Sequence, residues 1–467
     1  MGCIFKFLPL TAFGIYINFK KFPTKNSITK SSISCYTTMN SDTIIIGAGA
    51  AGLMSAYQLL KANQKVTVLE AHNRIGGRCY TFSGDDFTLP VELGAEFVHG
   101  KLPLTLKLLK EANIKYEAVS GDNFQAKNGE IKQSEFFMEH WDDFEAALKE
   151  VKEDQSLDEF LQQKFQQEKY KGLRKSVIQF AKGYDTADPE RVSLFSLRDE
   201  WLGDHEEETQ YRIPGGYVQL MDFLANQIKQ NNGQIFLDSV VKTINWRKDS
   251  VEVITTNDTV FTGKKLVVTV PLGVLVLSGN ETGAIQFNPD LPEQRNATAD
   301  MGFGAIIKIL IEFSEPFWEE NGLSNLQFLF SEEKIPTWWA QTPLKNNVLT
   351  GWLGGNPQDE NQHLSDEEIL REAVQSLAQI FNTDASFIDQ KLVSAKVYNW
   401  TTDPFTRGSY SYATVKTALA LKILKTPVAQ TIYFAGEALF EGEQLGTVEA
   451  ALVSGDEVAK IIEEEVV

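Results

Sequence analysis

Regular patterning of apolar and polar positions begins at residue 43. Residues 43–46 (TIII) are short, apolar and mostly β-branched, and they lead into GAGAAG at 47–52. Beyond it Leu53, Ala56, Tyr57, Leu59 and Leu60 return at helical spacing, and KVTVLE at 65–70 is β-branched and apolar again. The pattern predicts strand, glycine turn, helix and second strand, a βαβ unit of about 30 residues. From Leu102 to about position 206 the pattern predicts mainly helices. Leu104, Leu106, Leu108 and Leu109 share an apolar face, a helix is predicted over 136–151, and others follow through 180. YRIPGGY at 211–217 restarts with a glycine turn and a helix. Strands are predicted over 234–237, 240–246, 250–255 and 265–269, the last stopped by Val270-Pro271-Leu272-Gly273. Further strands are predicted over 305–313 and 348–353, and a helix over 366–381. A strand over 431–435, a glycine loop and a helix over 447–464 end the chain. No solenoid repeat interrupts this order.

At 467 residues the chain exceeds one ordinary core, so two domains are expected. Apolar residues at 43% and charged residues at 23% are a globular balance. The formal charge of −19 repels nucleic acid and enriches cations, protonated amines included, although the same surplus also serves plain solubility. Cys3, Cys35 and Cys79 form no CxxC and no ligand spacing with the five histidines, so neither a disulfide framework nor a metal site is expected. So few cysteines fit a reducing compartment, and the expected location is cytoplasmic. Residues 1–40 stand apart, with five lysines and neither acid nor arginine. Their apolar stretch at 7–19 is broken by Pro9 and is too short to span a membrane. Three readings stand: a disordered or mis-assigned leader with Met39 as the true start, a signal or lipid-attachment leader, and a transit peptide.

GAGAAG gains meaning from its surroundings. A strand precedes Gly47, a helix follows Gly52, and Glu70 ends the second strand. Gly47 makes the turn, Gly49 admits a pyrophosphate to the backbone, and Gly52 lets helix and strand approach. The helix N-terminus faces the anion, and Glu70 accepts from ribose hydroxyls. Gly47, Gly49, Ala51, Gly52 and Glu70 are therefore candidate cofactor-binding residues. Arg74-Ile75-Gly76-Gly77-Arg78 suits a second set of phosphate contacts, which favours FAD over a nicotinamide; a solvated basic loop is the other reading.

GAGAAG, LEAHNRIGGR at 69–78, ELGAEFVHG at 92–100, PGGYVQL at 214–220, NWTTDPFTRGSYSY at 399–412 and FAGEALFEGEQLGTVEAALVSG at 434–455 together resemble the flavin amine oxidase family. The likeness spans nearly the whole chain from residue 42. It implies an α/β fold: a discontinuous Rossmann-like FAD-binding domain (41–100, 210–300 and 396–467), with a second α+β substrate-binding domain (101–209 and 301–395). It also implies residue roles. Glu70, Gly77 and Arg78 would bind the ribose and pyrophosphate, and Val241 would hold the adenine through its backbone. Gly94, Ala95, Glu96 and Phe97 would line the isoalloxazine, with Glu437 near the ribityl and phosphate region. Thr447 and Val448 would meet the pyrimidine end of the ring. There the last helix would direct free N–H groups and its positive dipole end at the charge of the reduced flavin.

Lys308 lies between isoleucines in GAIIKILIEF. The pattern allows an edge-strand or outward-snorkelling lysine; the resemblance implies one that meets flavin N5 through a water, ordering it for imine hydrolysis and assisting reoxidation. His99 is either structural or, as the resemblance implies, a group on the substrate side that orders or deprotonates the amine. Trp400 and Tyr410 are either core aromatics or, by resemblance, the residues flanking the flavin, with Tyr410 as a wall of an aromatic cage. Monoamine oxidases carry a second tyrosine where this chain has Thr447, and a flavin-bearing cysteine where it has Ser409. Both departures point toward the polyamine oxidase and demethylase branches and to non-covalent FAD. The expected function is thus oxidation of a small-molecule amine with O2 as acceptor. Rivals are an L-amino-acid oxidase, which needs an arginine such as Arg407, Arg212 or Arg191 aimed at the carboxylate, a C–C bond oxidase, and a non-catalytic flavin-holding interaction protein. Glu206, Glu207 and Glu208 are either a polyamine-greeting cluster or a solvated loop.

Overall fold

The computed structural model describes residues 39–84, 87–100, 102–127, 129–133, 138–203, 209–357, 359–442 and 444–465. The expectations for residues 1–38 and for Glu206, Glu207 and Glu208 lie outside these residues. Met39 and Asn40, expected at the end of the leading segment, pair with Phe261 and Thr262 and open the first strand, Met39–Ile46.

That strand is the hub of an eight-stranded sheet. It runs parallel between Val66–Leu69 and Val260–Val268. Gln234–Phe236 extends the sheet on one side, and Ile432–Phe434 pairs in parallel with Val260–Val268. Val241–Arg247 and Ser250–Thr255 continue it as an antiparallel meander. Ile44 and Ile45 are fully buried, as expected where helices cover both faces of a parallel sheet and the strands read as unbroken apolar runs. The helix Ala50–Lys61 packs against the sheet and against the last helix, Val448–Glu464. Small residues make that crossing close. A β-carbon on Gly455 would collide with the Ala51 carbonyl, and the Ser55 hydroxyl donates to the Gly455 carbonyl at 2.9 Å.

A second sheet of seven strands carries Ala305–Phe313 between Leu392–Asn399 and Val348–Gly355. Every residue of Ala305–Phe313 is buried, and the helix Asp366–Ile380 contributes Ile369, Ala373 and Leu377 to the core beside it. The stretch expected to be mainly helical departs from that reading. It does supply Pro103–Glu111, Trp141–Lys149, Leu157–Lys164, Lys171–Gly183 and Leu194–Trp201, but Asp122–Lys127 and Glu130–Gln133 form a hairpin at the edge of the second sheet. Its sequence is polar and half-exposed, so hydrophobic alternation is faint there. The helix expected over 136–151 is seen from Trp141.

The glycine turn after Met39–Ile46 is a tight junction. Gly47 adopts φ +103°, and a β-carbon on Gly52 would overlap the Gly47 carbonyl oxygen. Gly49 is different: its β-carbon would have nothing nearer than 3.9 Å. Gly52→Ala is therefore expected to cost about 3 kcal/mol, the upper end for overpacking a closed junction. Gly49→Ala should leave the melting temperature nearly unchanged. Calorimetry on the two variants checks this, and equal losses would contradict the packing described.

Candidate functional site

The edge formed by the ends of the parallel strands gathers the nucleotide-type residues. The helix Ala50–Lys61 starts at Gly49 with no side chain capping it, so its first N–H groups remain available to an anion. Glu70 is buried and its carboxylate is fixed by two backbone donors, Ala48 N at 2.7 Å and His72 N at 2.9 Å. The Glu70 and His72 carbonyls accept from Ser239 N and Asp238 N, which brings the start of Val241–Arg247 alongside. Arg74 stacks on Tyr80, 3.8 Å from the ring centroid, and donates to the Gly77 carbonyl at 2.8 Å. Its second terminal nitrogen, Nη2, is buried with no hydrogen-bond partner among the described residues. An orphaned guanidinium donor, an uncapped helix start and an open face over Gly49 together fit the ADP half of FAD. Arg78 donates to Glu437 at 2.9 Å and to the Ser409 carbonyl at 2.6 Å, while Ser411 donates to the other Glu437 oxygen at 2.6 Å.

Gly94 connects this edge to the second sheet. A β-carbon there would collide with the Arg78 carbonyl and lie 3.2 Å from the Trp400 ring. Lys308 reaches it from the opposite side. It is 1% exposed on a central strand, so it neither sits at an edge nor snorkels outward. Its ammonium donates to Glu96 Oε2 at 2.5 Å and to the Gly94 carbonyl at 3.1 Å. The other Glu96 oxygen accepts from Arg212 and, at 3.0 Å, from Trp339 Nε1. Arg212 also donates to Gln341 at 2.9 Å and to the Ala340 carbonyl at 3.1 Å. Burial alone would raise the Glu96 carboxyl, but Arg212 and Lys308 outweigh it and hold Glu96 at about 2. The Glu96 side chain is thus spent on the two cations and the indole, which leaves the backbone of 94–97 as its part of any ring-lining surface.

His99 follows on Phe97–His99, which pairs antiparallel with Gln210–Arg212. Its ring lies 5.9 Å from Phe97, which in turn lies 5.9 Å from Trp339 and beneath the Arg212 guanidinium at 4.5 Å. Burial pushes the imidazole down to about 4, so His99 is neutral across the physiological range. Trp400 is buried and donates to the Leu93 carbonyl at 2.9 Å. The loop from Trp400 to Tyr410 is stitched to the start of the lysine strand by Trp400 N to Ile306 O, Ser409 N to Gly304 O and Gly304 N to Tyr410 O. The Tyr410 hydroxyl donates to the Tyr184 carbonyl, and its ring abuts Gly446. The next residue, Thr447, caps the last helix. Its hydroxyl accepts from Ala450 N at 3.2 Å and donates to the Gln444 carbonyl at 2.7 Å. Val448 packs at the edge of the first core.

The candidates Lys308, Glu96, Phe97 and His99 therefore form one contiguous group, and Trp400, Tyr410 and Thr447 approach it through Gly94, Gly304 and Gly446. Sequence reasoning missed Trp339, Gln341 and the true place of Arg212, which the sequence suggests only as a partner for a substrate carboxylate. Trp338 and Trp339 are adjacent and strand alternation puts them on opposite faces, but nothing local says which face meets the lysine. Arg191 donates to the Ala299 and Met301 carbonyls and Arg407 to Thr282.

A family profile described as flavin containing amine oxidoreductase matches residues 50–462. The chain belongs to that family. Among curated proteins it is similar to lysine-specific histone demethylase 1 homolog 3 of Arabidopsis thaliana, 25% identical over 93% of this chain but only 30% of that protein. It is also similar to polyamine oxidase 2 of Arabidopsis thaliana, 29% identical over 90% of this chain and 88% of that one. Among solved structures, wild-type putrescine oxidase bound to putrescine superposes with a TM-score of 0.74 at 21% identity, covering 91% of this chain and 99% of the other, a likeness of fold. The fold is thus the α/β architecture expected, and the cofactor of this family is a flavin. Among the described residues no helix is long and apolar enough to cross a membrane.

One further buried acid lies just behind this flavin-family site. Glu92 accepts from Tyr217 N at 2.6 Å, at the start of the helix Val218–Gln230, and from the Thr81 hydroxyl at 3.0 Å. Burial, aided by Glu96, pushes its carboxyl up to about 7 against the opposing effects of Tyr217 N–H, Lys308 and Thr81. Between the ordinary carboxyl range and pH 7 the folded chain therefore holds a proton that the unfolded chain has released. Stability falls as pH rises through that window. Glu92→Gln keeps an acceptor and removes the titration. Its stability relative to the parent is expected to rise by ~3 kcal/mol between pH 4.5 and 7.5, read by denaturant melts at each pH. A constant difference would refute the assignment.

Proposed function

We propose that the protein is an FAD-dependent amine oxidase: it removes a hydride from the carbon beside an amine nitrogen, the imine is hydrolysed to carbonyl and amine, and O2 takes up the electrons as hydrogen peroxide. The observation that carries this reading is the inward Lys308, held by Glu96 beside Gly94 where the two sheets meet. FAD, when bound, would supply the hydride acceptor and the route of electrons to oxygen.

The chain's own residues would do the rest. Gly47, Gly49, Ala51, Gly52 and Glu70 hold the ADP half, with Gly77, Arg74 and Arg78 at the phosphates, Val241 beside the adenine and Glu437 toward the ribityl chain. Gly94, Ala95, Glu96 and Phe97 line the ring. The hydride step needs an amine with a free lone pair, and neutral His99 is a group able to accept a proton from it or orient it. Trp400 and Tyr410 wall the amine in, and Lys308 orders the water that attacks the imine. Thr447 and Val448 present the start of the last helix to negative charge arriving in the site. The division into FAD-binding segments 41–100, 210–300 and 396–467 and substrate-binding segments 101–209 and 301–395 belongs to the same proposal.

Near Tyr410, Asp185 is buried, and burial together with its neighbour Glu200 raises its carboxyl well above the usual range. Trp201 Nε1 donates to it at 3.3 Å. A carboxyl held toward its neutral form beside Tyr410 leaves that side of the site without a fixed charge, which suits an amine that reacts in its neutral form. The three arginines considered for a carboxylate all have protein partners, which counts against the amino-acid oxidase reading. The demethylase and polyamine oxidase names among the relatives support an amine carried on a longer chain.

Mixing the yellow protein anaerobically with polyamines, aryl monoamines and amino acids is the test. Bleaching by an amine is expected, and bleaching only by amino acids, or by nothing, would overturn the proposal. Lys308→Met is expected to slow turnover with oxygen at least about tenfold, an extra barrier of ~1.4 kcal/mol or more, by stopped-flow reoxidation. With Ser409 in place of a cysteine, acid precipitation should leave the yellow colour in the supernatant, and colour retained in the pellet would show a covalent link.

A further inference from the structure

The cluster around Lys308 contains two cations and one anion. Glu96 Oε2 accepts from Lys308, and Oε1 accepts from Arg212 and Trp339. Glu96 and Arg212 are each at least nine-tenths buried, and Lys308 is 1% exposed. One positive charge is left over in a region from which water is excluded. Lys308 also has a donor to spare: two of its three N–H groups are directed at Glu96 and the Gly94 carbonyl, and among the described residues the third has no acceptor. The Trp339 ring lies 5.5 Å from the same ammonium and closes off another approach.

We propose that Glu96 is a positioning residue for Lys308, and that the cluster it holds together keeps a single net positive charge, with one free N–H, aimed past Gly94. This deepens the function proposed above and rests on it, because that reading puts the flavin ring along 94–97. Several features of the geometry favour placement over a purely structural ion pair. A structural pair balances its charges, whereas this cluster does not so long as Glu92, the acid behind it, keeps its proton. The carboxylate is braced from behind, by an indole and by a guanidinium that is itself anchored to Gln341 and the Ala340 carbonyl. It therefore has one place to be. Without the carboxylate, Lys308 and Arg212 would share a buried space as like charges, and the flexible lysine would be the one to leave.

A fixed cation at that place has a defined electrostatic consequence. It stabilises whatever negative charge the site must accept when electrons arrive, and it does so with no reorganisation because its position is already set. The readout is therefore the balance between reduced and oxidised flavin, poised with a chemical reductant so that no amine is needed. The variants are Lys308→Met, Glu96→Gln and the two combined. In the parent background Lys308→Met is expected to lower the reduced-to-oxidised ratio at fixed poise at least tenfold. In the Glu96→Gln background the same change should have less than a threefold effect, because the ammonium is no longer held at the site. An equal effect of Lys308→Met in both backgrounds would overturn the proposal, as would no effect in the parent. Should Glu96→Gln fail to fold, Trp339→Phe replaces it in the cycle. It removes one N–H from the same carboxylate without changing charge, and there a threefold or greater loss of the Lys308→Met effect supports the proposal while an unchanged effect overturns it. Failure of every amine to bleach the flavin would sink the function reading without altering the flavin ratios that this cycle measures, so the two failures are distinguishable.

Discussion

An ammonium in the middle of an apolar strand is the constraint around which the site is organised. Ala305–Phe313 is buried along its whole length, so a lysine at its centre must find a counter-charge within reach or forfeit its own. Glu96 supplies it, but a lone carboxylate there would be neutralised by the lysine and leave no net charge. Arg212 restores the imbalance. Satisfying these three groups together requires segment 94–97, strand Gln210–Arg212, residues 339–341 and strand Ala305–Phe313 to converge. Three of these four segments are far apart in sequence, and their meeting fixes the first sheet's loops against the second sheet.

The titration states around this cluster are coherent with one another. His99 is held neutral by burial. Glu92 and Asp185, buried without a full counter-charge, are pushed toward their neutral forms. Glu96, which has two cations, stays ionised. Under the proposed function such an arrangement is useful: uncharged groups would meet the amine, and a fixed cation would face the negative charge that follows. None of these states follows from residue type. Glu92 and Glu96 are the same residue four positions apart in ELGAEFVHG, and only their partners set them apart.

The cofactor side was legible in the sequence because its rules are local. A turn that needs φ above zero, a helix that starts without a side-chain cap and an acid at the end of the next strand all lie within the segment 47–70, and the structure shows each of them. The strand over 305–313 was likewise plain, since nine buried residues in a row leave few alternatives. What the pattern could not show was direction. Lys308 could be said to lie on a buried strand, but its inward reach depends on Glu96, more than two hundred positions earlier, and Trp339 is one of two adjacent tryptophans that only tertiary packing distinguishes. The hairpin at 122–133 was hidden for a different reason: at a sheet edge its polar residues need not alternate, so propensity outweighed pairing in the reading.

Parallel pairing explains why a chain so dispersed can build one crevice. Ile46 stands level with Leu69 and Val268, Val268 with Phe434, and Leu69 with Phe236. Because these strands share a direction, they stop at a common edge, and the residue after each stop is delivered there: Gly47, Glu70, Thr269 and Ala435, with Gly436 and Glu437 immediately beyond. The carboxyl edge of such a sheet is where backbone N–H groups and loop side chains face outward together, which is where a dinucleotide is received. The last helix then has to return from that edge. It can lie along the helix Ala50–Lys61 only because Gly455 lets the two backbones close on Ala51, and that closeness is what brings its start at Thr447 back beside Tyr410. The position of Tyr410 against Gly446 is therefore tied to a glycine about two turns into the last helix as well as to the loop that carries the tyrosine.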